Sequence, residues 1–549
     1  MMKNKIFCLL LTVFVLASAI APLGAVAATP SVTLPSLTAD ANCADYESYG
    51  DSKVYYYTGV AKSNFDSYIS TLKNGGYSEI KTYNADGCYY SLLDNGTATL
   101  FVSFLRSAST VSKKGRLRIF VQASGTPYHT QSEAIQSNIC TPKLWQLDVD
   151  NSGGEDGGMS YVVRLTDGTF VVIDGGYRTD REAQNLYSVI ASNNVLNGKP
   201  VISAWFITHL HIDHYGVLSN FTELYSDSVI VKGFYYNFPS QVIGDVSGTN
   251  AAAVEATMSE WQNATLYSKI HSGMVMGFAG ATVEVLATHE DVKQSYYSGT
   301  LKTLTENGFK NDGNETSTVI RFNIAGQSMM FLADAEVAVG KAMLNTYTTD
   351  YLKSDIMQVA HHGFSDNVSS DLIGAINPDV ALWPMDITRY VNGEITEGTT
   401  TFTCYYNRNY SYVNAIKDSA SEVIPAYKNE ALTLPYTANT LYSTQIPDIT
   451  TLAVAKVRIT NATKNIYVQK SNDGTKIRFI GVLDLSEEEL EEYSNFGFDI
   501  SMRYNNVTYM NRFTTTTVYT SLIANGNTVY ASHFGGTYFY AVEVTGLDF

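Results

Sequence analysis

The stretch Val201-Ile202-Ser203-Ala204-Trp205-Phe206-Ile207-Thr208-His209-Leu210-His211-Ile212-Asp213-His214-Tyr215-Gly216 decides the reading of this 549-residue chain. Its first seven residues form a near-continuous apolar run with the length of one buried strand. Such a strand delivers the three imidazoles and the carboxylate behind it into a single loop. Side chains two apart on extended backbone share a face, so His209 and His211 can meet one cation. Asp213 and His214, entering the following turn, can reach a second cation nearby. A histidine-rich loop that merely packs is the competing reading, and the preceding segment speaks against it. Tyr161 to Leu165 and Thr169 to Ile173 read as a strand pair across Asp167-Gly168, and the second ends in Asp174-Gly175-Gly176, a carboxylate beside residues that let backbone approach closely.

The same alternation of strands and helices runs over residues 140–436, which hold seven of the nine histidines. Ala281 to Leu286 is an alternating strand followed by Ala287-Thr288-His289. Ser317 to Ile324 and Ser328 to Leu332 form a hairpin across Gly326-Gln327 that ends in Ala333-Asp334-Ala335-Glu336, with Glu336 starting the next helix. Asp355 to Ala360 is a strand entering His361-His362-Gly363-Phe364-Ser365. Val380 to Trp383 and Glu422 to Leu434 read as further strands, and Tyr412 to Lys417 as a helix. These last carry no convincing ligand and serve as scaffold.

Asp174-Gly175-Gly176 followed by His209-Leu210-His211-Ile212-Asp213-His214 resembles the metallo-β-lactamase superfamily. The resemblance covers roughly residues 140–436 and implies an α/β fold, a four-layer αβ/βα sandwich with metals at one edge between two sheets. It implies three further ligands at later strand ends: a histidine, a bridging aspartate and a last histidine. His289 matches the first, with His271 as its competitor, and Asp334 matches the second. For the third, the sequence does not choose within the pair; His361 is taken as the ligand, and His362 and Ser365 as substrate contacts. Asn314 to Ser317 before the hairpin, the leucine-alanine-aspartate strand end and His-His-Gly narrow the resemblance to one branch. That branch contains the hydrolase domains of competence-type DNA-uptake proteins and the teichoic-acid phosphorylcholine esterases. Phe364 departs from it, standing where a serine often follows His-His-Gly, which puts phosphate contacts carried over from those relatives in doubt.

The resemblance implies two divalent ions. His209, His211 and His289 would hold one; Asp213, His214 and His361 would hold the other, with Asp334 between them. Nitrogen and oxygen donors of this kind suit zinc, with manganese or iron as alternatives. Asp213 and Asp334 are the candidate catalytic carboxylates, and Asp174 orients the loop of His209 to His214 rather than binding metal. The implied activity is hydrolysis by a metal-bridged hydroxide, with phosphodiesters of a cell-envelope polymer or an extracellular nucleotide as the first expectation. Hydrolysis of esters, lactones or amides, β-lactams included, is the second. A non-catalytic surface-binding module built on the 39 tyrosines is the third.

Around this domain the chain divides further. Lys3 and Lys5, the apolar run Ile6 to Ile20 and Ala25-Val26-Ala27 read as a signal peptide over residues 1–27, with an uncleaved anchor as the alternative. Export predicts a secreted or cell-surface protein. Losing Lys3 and Lys5 leaves 34 basic residues against 53 acidic ones, a net charge of −19. That sign repels phosphate backbones at long range, so no stable nucleic-acid complex is expected. Residues 28–135 read as a small α/β domain without chemistry, in which Phe65, Tyr68, Ile69 and Leu72 mark the inner face of a helix capped by Ser63 and Asp94-Asn95-Gly96 marks a hairpin. Residues 450–549, rich in Thr, Tyr and Val, suggest a β-sandwich with a capping pattern at Ser486, and association with the cell wall would be its task. Of the cysteines that remain, Cys43 and Cys88 are the favoured disulfide, with free thiols as the alternative.

Overall fold

The computed structural model describes residues 32–35, 37, 43–49, 52–107, 114–149, 158–239, 248–295, 313–364, 367–386, 394–397, 400–403, 410–426, 429, 431–438, 456–457, 463–470, 476–491, 496–504, 507–524, 527–534 and 536–545. The signal peptide, Cys404 and Ser365 lie outside the described residues.

Strands β1 (Cys43–Tyr49), β2 (Ser52–Val60), β3 (Ser78–Ala85), β4 (Cys88–Asp94), β5 (Ala98–Leu105) and β6 (Gly115–Ala123) make an antiparallel sheet in the order β1-β2-β6-β5-β4-β3. Helix α1 (Lys62–Asn74) buries Phe65, Tyr68, Ile69 and Leu72 against one face. It begins one residue before the expected cap: the Asn64 carboxamide accepts from the Ala61 N–H at 2.9 Å and does the capping that Ser63 was expected to do. The expected hairpin forms at Asp94-Asn95-Gly96, where the Asp94 carboxylate accepts from the Gly96 N–H at 2.6 Å. The pairing of Cys43 with Cys88 is corrected. Cys88 is a buried free thiol, and β1 stands four strand spacings from β4, about 19 Å, whereas a disulfide requires α-carbons within about 7 Å.

The central region is a pair of sheets. The first contains β7 (Lys143–Gln146), β8 (Ser160–Arg164), β9 (Phe170–Asp174), β10 (Val201–Ile207), β11 (Ile230–Val231), β12 (Gly233–Tyr236) and β13 (Thr265–Tyr267), with β10 parallel to both β9 and β12. The second runs through β14 (Val275–Phe278), β15 (Ala281–Ala287), β16 (Val319–Ile324), β17 (Gln327–Phe331), β18 (Ile356–Gln358) and β19 (Val380–Asp386), with β17, β18 and β19 parallel. Their inner faces meet in one core, as where the rings of Tyr161 and Phe331 lie edge to face at 5.2 Å. Helices α2 (Asp180–Ser192) and α4 (Val217–Tyr225) cover the first sheet; the helices Val337–Thr346 and Ser370–Ile376 pack on the second half. Helix, sheet, sheet, helix is the four-layer αβ/βα sandwich. The stretch expected as one strand, Glu422 to Leu434, is two: Glu422–Ala426 closes the second sheet beside β19 and Ala431–Thr433 joins the first beside β7. Between them Asn429 takes a left-handed conformation (φ 52°), and its side chain accepts from the Asp148 N–H at 2.7 Å, so the chain crosses between sheets there.

At the C-terminal end, Thr463–Lys470, Lys476–Leu483, Tyr538–Thr545 and Val518–Tyr519 form one sheet, and Lys456–Val457, Phe496–Tyr504 and Val507–Thr515 another. They touch where the rings of Phe496 and Tyr540 lie 5.6 Å apart. The capping pattern at Ser486 is realised: its N–H donates to Glu489 Oε2 at 2.8 Å and its hydroxyl accepts from the Glu489 N–H at 3.2 Å.

The N-terminal sheet is welded to the central domain. Val54, Tyr56, Tyr90, Phe101 and Phe120 belong to the main core. Arg118 on β6, fully buried, pairs with Asp291 at 3.1 Å and donates to the Ser272 hydroxyl at 2.7 Å. Removing one partner of a buried pair strands the other charge, which costs about 3–5 kcal/mol. Arg118→Ala is therefore expected to lower stability by about that amount, read from urea unfolding of the full chain, while Arg478→Ala, at an exposed pair with Glu543, shifts it by less than about 1 kcal/mol.

Candidate metal centre

Parallel strands place their carboxyl ends together, and here two such ends from each sheet face one another. β9 ends at Asp174, and β10 leads into Thr208 and the histidine loop, where α3 (Ile212–Tyr215) begins. β17 leads to Asp334 and β18 to His361 and His362. A bond across the two sheets, from the Thr318 N–H to the Thr208 carbonyl at 3.0 Å, fixes their separation at this edge.

Two groups of donor atoms result. Asp213, His214, Asp334 and His362 form one; His209, His211 and Asp334 form the other, and within each group the donor atoms lie within 4.8 Å of one another. Asp334 is common to both. Its Oδ2 is 3.0 Å from His214 Nε2, 3.4 Å from His362 Nε2 and 3.7 Å from His209 Nε2. Asp213 Oδ2 is 3.1 Å from His362 Nε2 and 3.7 Å from His214 Nε2.

His209, His214, His362 and Asp334 are held from behind. Asp174, fully buried and left-handed (φ 55°), accepts from the Thr208 N–H at 2.8 Å, the Thr208 hydroxyl at 2.7 Å and His214 Nδ1 at 2.7 Å. With the Nδ1 proton turned to Asp174, the Nε2 lone pair of His214 faces the centre. His209 Nδ1 lies 3.1 Å from the Thr208 hydroxyl, and His362 Nδ1 lies 3.0 Å from the Pro384 carbonyl, so both of these rings are oriented the same way. Ala333, before Asp334, also sits at positive φ (52°). Gln358 clamps it, accepting from its N–H at 2.6 Å and donating to its carbonyl at 2.9 Å. His361 (φ 43°) and His362 (φ 50°) complete a set of four non-glycine residues in the left-handed region around one centre. Gly363 (φ 80°) follows; a β-carbon there would meet the Trp383 ring at 2.1 Å, and Trp383 Nε1 donates to the His362 carbonyl at 2.8 Å.

Two expectations are corrected here. His362, not His361, enters the donor group, because the left-handed turn at the pair sends His362 inward and His361 towards the rim. There Asn314 Nδ2 lies 3.1 Å from His361 Nε2, and Glu336 Oε1 lies 3.6 Å from His361 Nδ1. His289 enters neither group: its Nε2 faces Glu290 Oε1 at 3.4 Å. His271, the competitor, is packed between Phe101 and Phe120, with its ring 3.9 Å from that of Phe120; burial pushes its pKa down to about 3. Thr208, Gln358 and Trp383 were not singled out by sequence reading. Gln358 alone left a trace there, as a polar residue in the apolar strand Ile356-Met357-Gln358-Val359.

The donor set suits divalent cations. Nε2 of His209, His214 and His362 and Oδ1 of Asp334 are buried with no hydrogen-bond partner, an arrangement that costs free energy unless something positive or protic fills it. The electrostatics say the same. Burial opposes charge on His214, yet Asp334, Asp213 and Asp174 hold its pKa well above the ordinary histidine value. Burial likewise opposes charge on His362, and Asp334 and Asp213 raise it to about 10. Asp334 is held well below the carboxylate range against its own burial, by His214 and His362.

The family model of the metallo-beta-lactamase superfamily matches residues 153–382. These residues form a metallo-β-lactamase superfamily domain. That assignment supports a hydrolase-type enzyme with a divalent-metal centre. Among solved structures, Zn(2+)-bound PqqB from Methylobacterium extorquens is similar at 11% identity, over 52% of this chain and 91% of that chain, with a TM-score of 0.27. No curated protein matches.

In Asp174→Asn the carboxamide keeps an acceptor for Thr208 but presents an N–H to His214 Nδ1, favouring the tautomer that blocks Nε2. Metal affinity is expected to fall 10–100-fold, measured by competition with a chromophoric chelator; an unchanged affinity would remove Asp174 from the centre.

Proposed function

We propose that this domain is a metal-dependent phosphodiesterase, exported and acting on a cell-envelope polymer or an extracellular nucleotide. The observation that carries the hydrolytic part is the convergence of both donor groups on the shared Asp334 carboxylate. When bound, a pair of divalent ions supplies a water acidified toward neutrality and a positive seat for a phosphoryl oxygen. The chain's own part is positional. Asp174 and Thr208 fix the tautomers of His214 and His209 and so present Nε2 in both. Asp213, whose side chain is 18% exposed against 2% for Asp334, is the carboxylate at the opening and receives the proton of the attacking water.

His361 supports the phosphodiester reading. Set at the rim by Asn314 and Glu336, it offers a hydrogen-bonding ring to a charged oxygen of the substrate. Phe364 stacks edge-on to it at 5.3 Å, an apolar wall beside that ring. The branch likeness of Asn314 to Ser317 and His361-His362-Gly363 favours the same substrate class. The strongly acidic chain has no need of a basic groove if its substrate is a short or decorated polymer rather than a nucleic acid. The C-terminal sheets would then serve attachment to the cell wall.

The full chain is expected to hydrolyse bis-p-nitrophenyl phosphate, to stop when chelated and to recover with Zn2+ or Mn2+. His211→Ala should lower turnover more than about a hundredfold with the fold retained by circular dichroism. Faster turnover of a p-nitrophenyl ester or of nitrocefin than of the phosphodiester would transfer the site to carboxylic substrates.

A further inference from the structure

Phe364 follows directly on the His361-His362-Gly363 turn, and its ring centroid lies 5.3 Å from that of His361 and 5.7 Å from that of His362. Because His362 Nε2 belongs to the donor group with Asp213 and Asp334, the phenyl ring stands one imidazole away from the centre. The turn does not depend on that ring. Trp383 Nε1 donates to the His362 carbonyl at 2.8 Å, the Tyr412 hydroxyl to the Gly363 carbonyl at 2.5 Å, and Asn367 Nδ2 to the Ala360 carbonyl. The Phe364 N–H closes the turn on the His361 carbonyl at 2.8 Å, a bond that almost any residue could make. The ring itself is left half-buried against the main core.

The other donor loops carry apolar side chains of the same kind. Ile212, between His211 and Asp213, is 39% exposed, and Val337, next to Glu336, is 42% exposed. A large apolar side chain left in water forgoes the free energy of burial, and several of them bordering one polar centre mark a surface that a ligand completes. The charges at the opening restrict that ligand. Asp213 and Glu336 both stay partly exposed there, so a second anionic group beside the reacting phosphate would meet carboxylates. A short polyol chain, for its part, gains little from a phenyl face.

We infer that Phe364 is a specificity-determining residue, the wall against which an uncharged, apolar ester group of the substrate, aryl or alkyl, lies while the phosphate occupies the centre. This rests on the phosphodiesterase reading and narrows its substrate class to phosphodiesters that carry one such group. Ile212 and Val337 extend the apolar border on the neighbouring loops.

The Zn2+-loaded full chain is titrated by calorimetry with phenylphosphonate, methylphosphonate and 2-aminoethylphosphonate, whose carbon–phosphorus bond resists hydrolysis, and turnover of methyl p-nitrophenyl phosphate is measured alongside. Phenylphosphonate is expected to bind at least about tenfold more tightly than either of the others. Phe364→Ser should bring the phenyl-to-methyl ratio below about threefold, and Phe364→Leu, which keeps an apolar side chain, should retain most of it. A mere disturbance of the turn would weaken both phosphonates alike and leave the ratio standing. Equal affinities for the phenyl and methyl compounds, a preference unchanged in Phe364→Ser, or tightest binding of 2-aminoethylphosphonate would overturn the inference, while turnover of the phosphodiester would keep the wider reading intact. Preference for phenylphosphonate without turnover of the phosphodiester would overturn the phosphodiesterase reading and leave the apolar wall in place. No binding of any phosphonate would overturn both.

Discussion

Asp334 is a carboxylate that the fold has removed from water and surrounded with imidazoles. A buried anion of this kind is tolerated only where positive charge meets it, and three ring nitrogens from two different segments come within 3.7 Å of one of its oxygens. Everything else at the centre follows from keeping that cluster apart by the right few ångströms. The left-handed backbone before Asp334, clamped by Gln358, aims the carboxylate. The left-handed His361-His362 turn brings one imidazole to it from the neighbouring strand end, and Asp174 turns His214 to face it from the other sheet.

Strained backbone at four non-glycine positions would be unfavourable in isolation, at about 1–3 kcal/mol each. It persists because the neighbours over-determine it: two side-chain hydrogen bonds at Ala333, three acceptor contacts at Asp174, and the Trp383 indole against the backbone of His362. The rigidity is chemically useful. Donor atoms that already stand where a cation needs them lose little entropy on binding, and a tautomer fixed in advance needs no rearrangement.

The sandwich was legible in the sequence because its evidence is periodic and local. The apolar run Val201 to Ile207, the hairpins and the strand-end carboxylates each announce themselves within a few residues. The identity of the last ligand was not, since His361 and His362 are adjacent and only the backbone dihedrals of the turn decide which ring points inward. His289 misled for a related reason. It stands at a strand end, but the residue after it is Glu290, whose carboxylate, held by Asn237 53 positions upstream, lies 3.4 Å from the ring. Long-range partners of this sort leave no local trace. Cys88 shows the same limit, because sequence proximity to Cys43 says nothing about a sheet order that puts three strands between them.

The N-terminal sheet also reads differently once placed. Composition marks it as a separate unit with no chemistry, and it does lack a site, yet its inner face belongs to the main core and Arg118 reaches through to Asp291 beside Thr288 and Glu290. That guanidinium is a buried cation one hydrogen bond removed from the turn that carries His289. The N-terminal unit therefore enters the metal centre's frame without contributing a ligand. Its sheet supplies the charge that holds Asp291, Asp291 holds Thr288, and Thr288 donates to Glu290 beside His289. The main core thus takes in residues from Val54 onward, well upstream of the residues whose motifs define the fold.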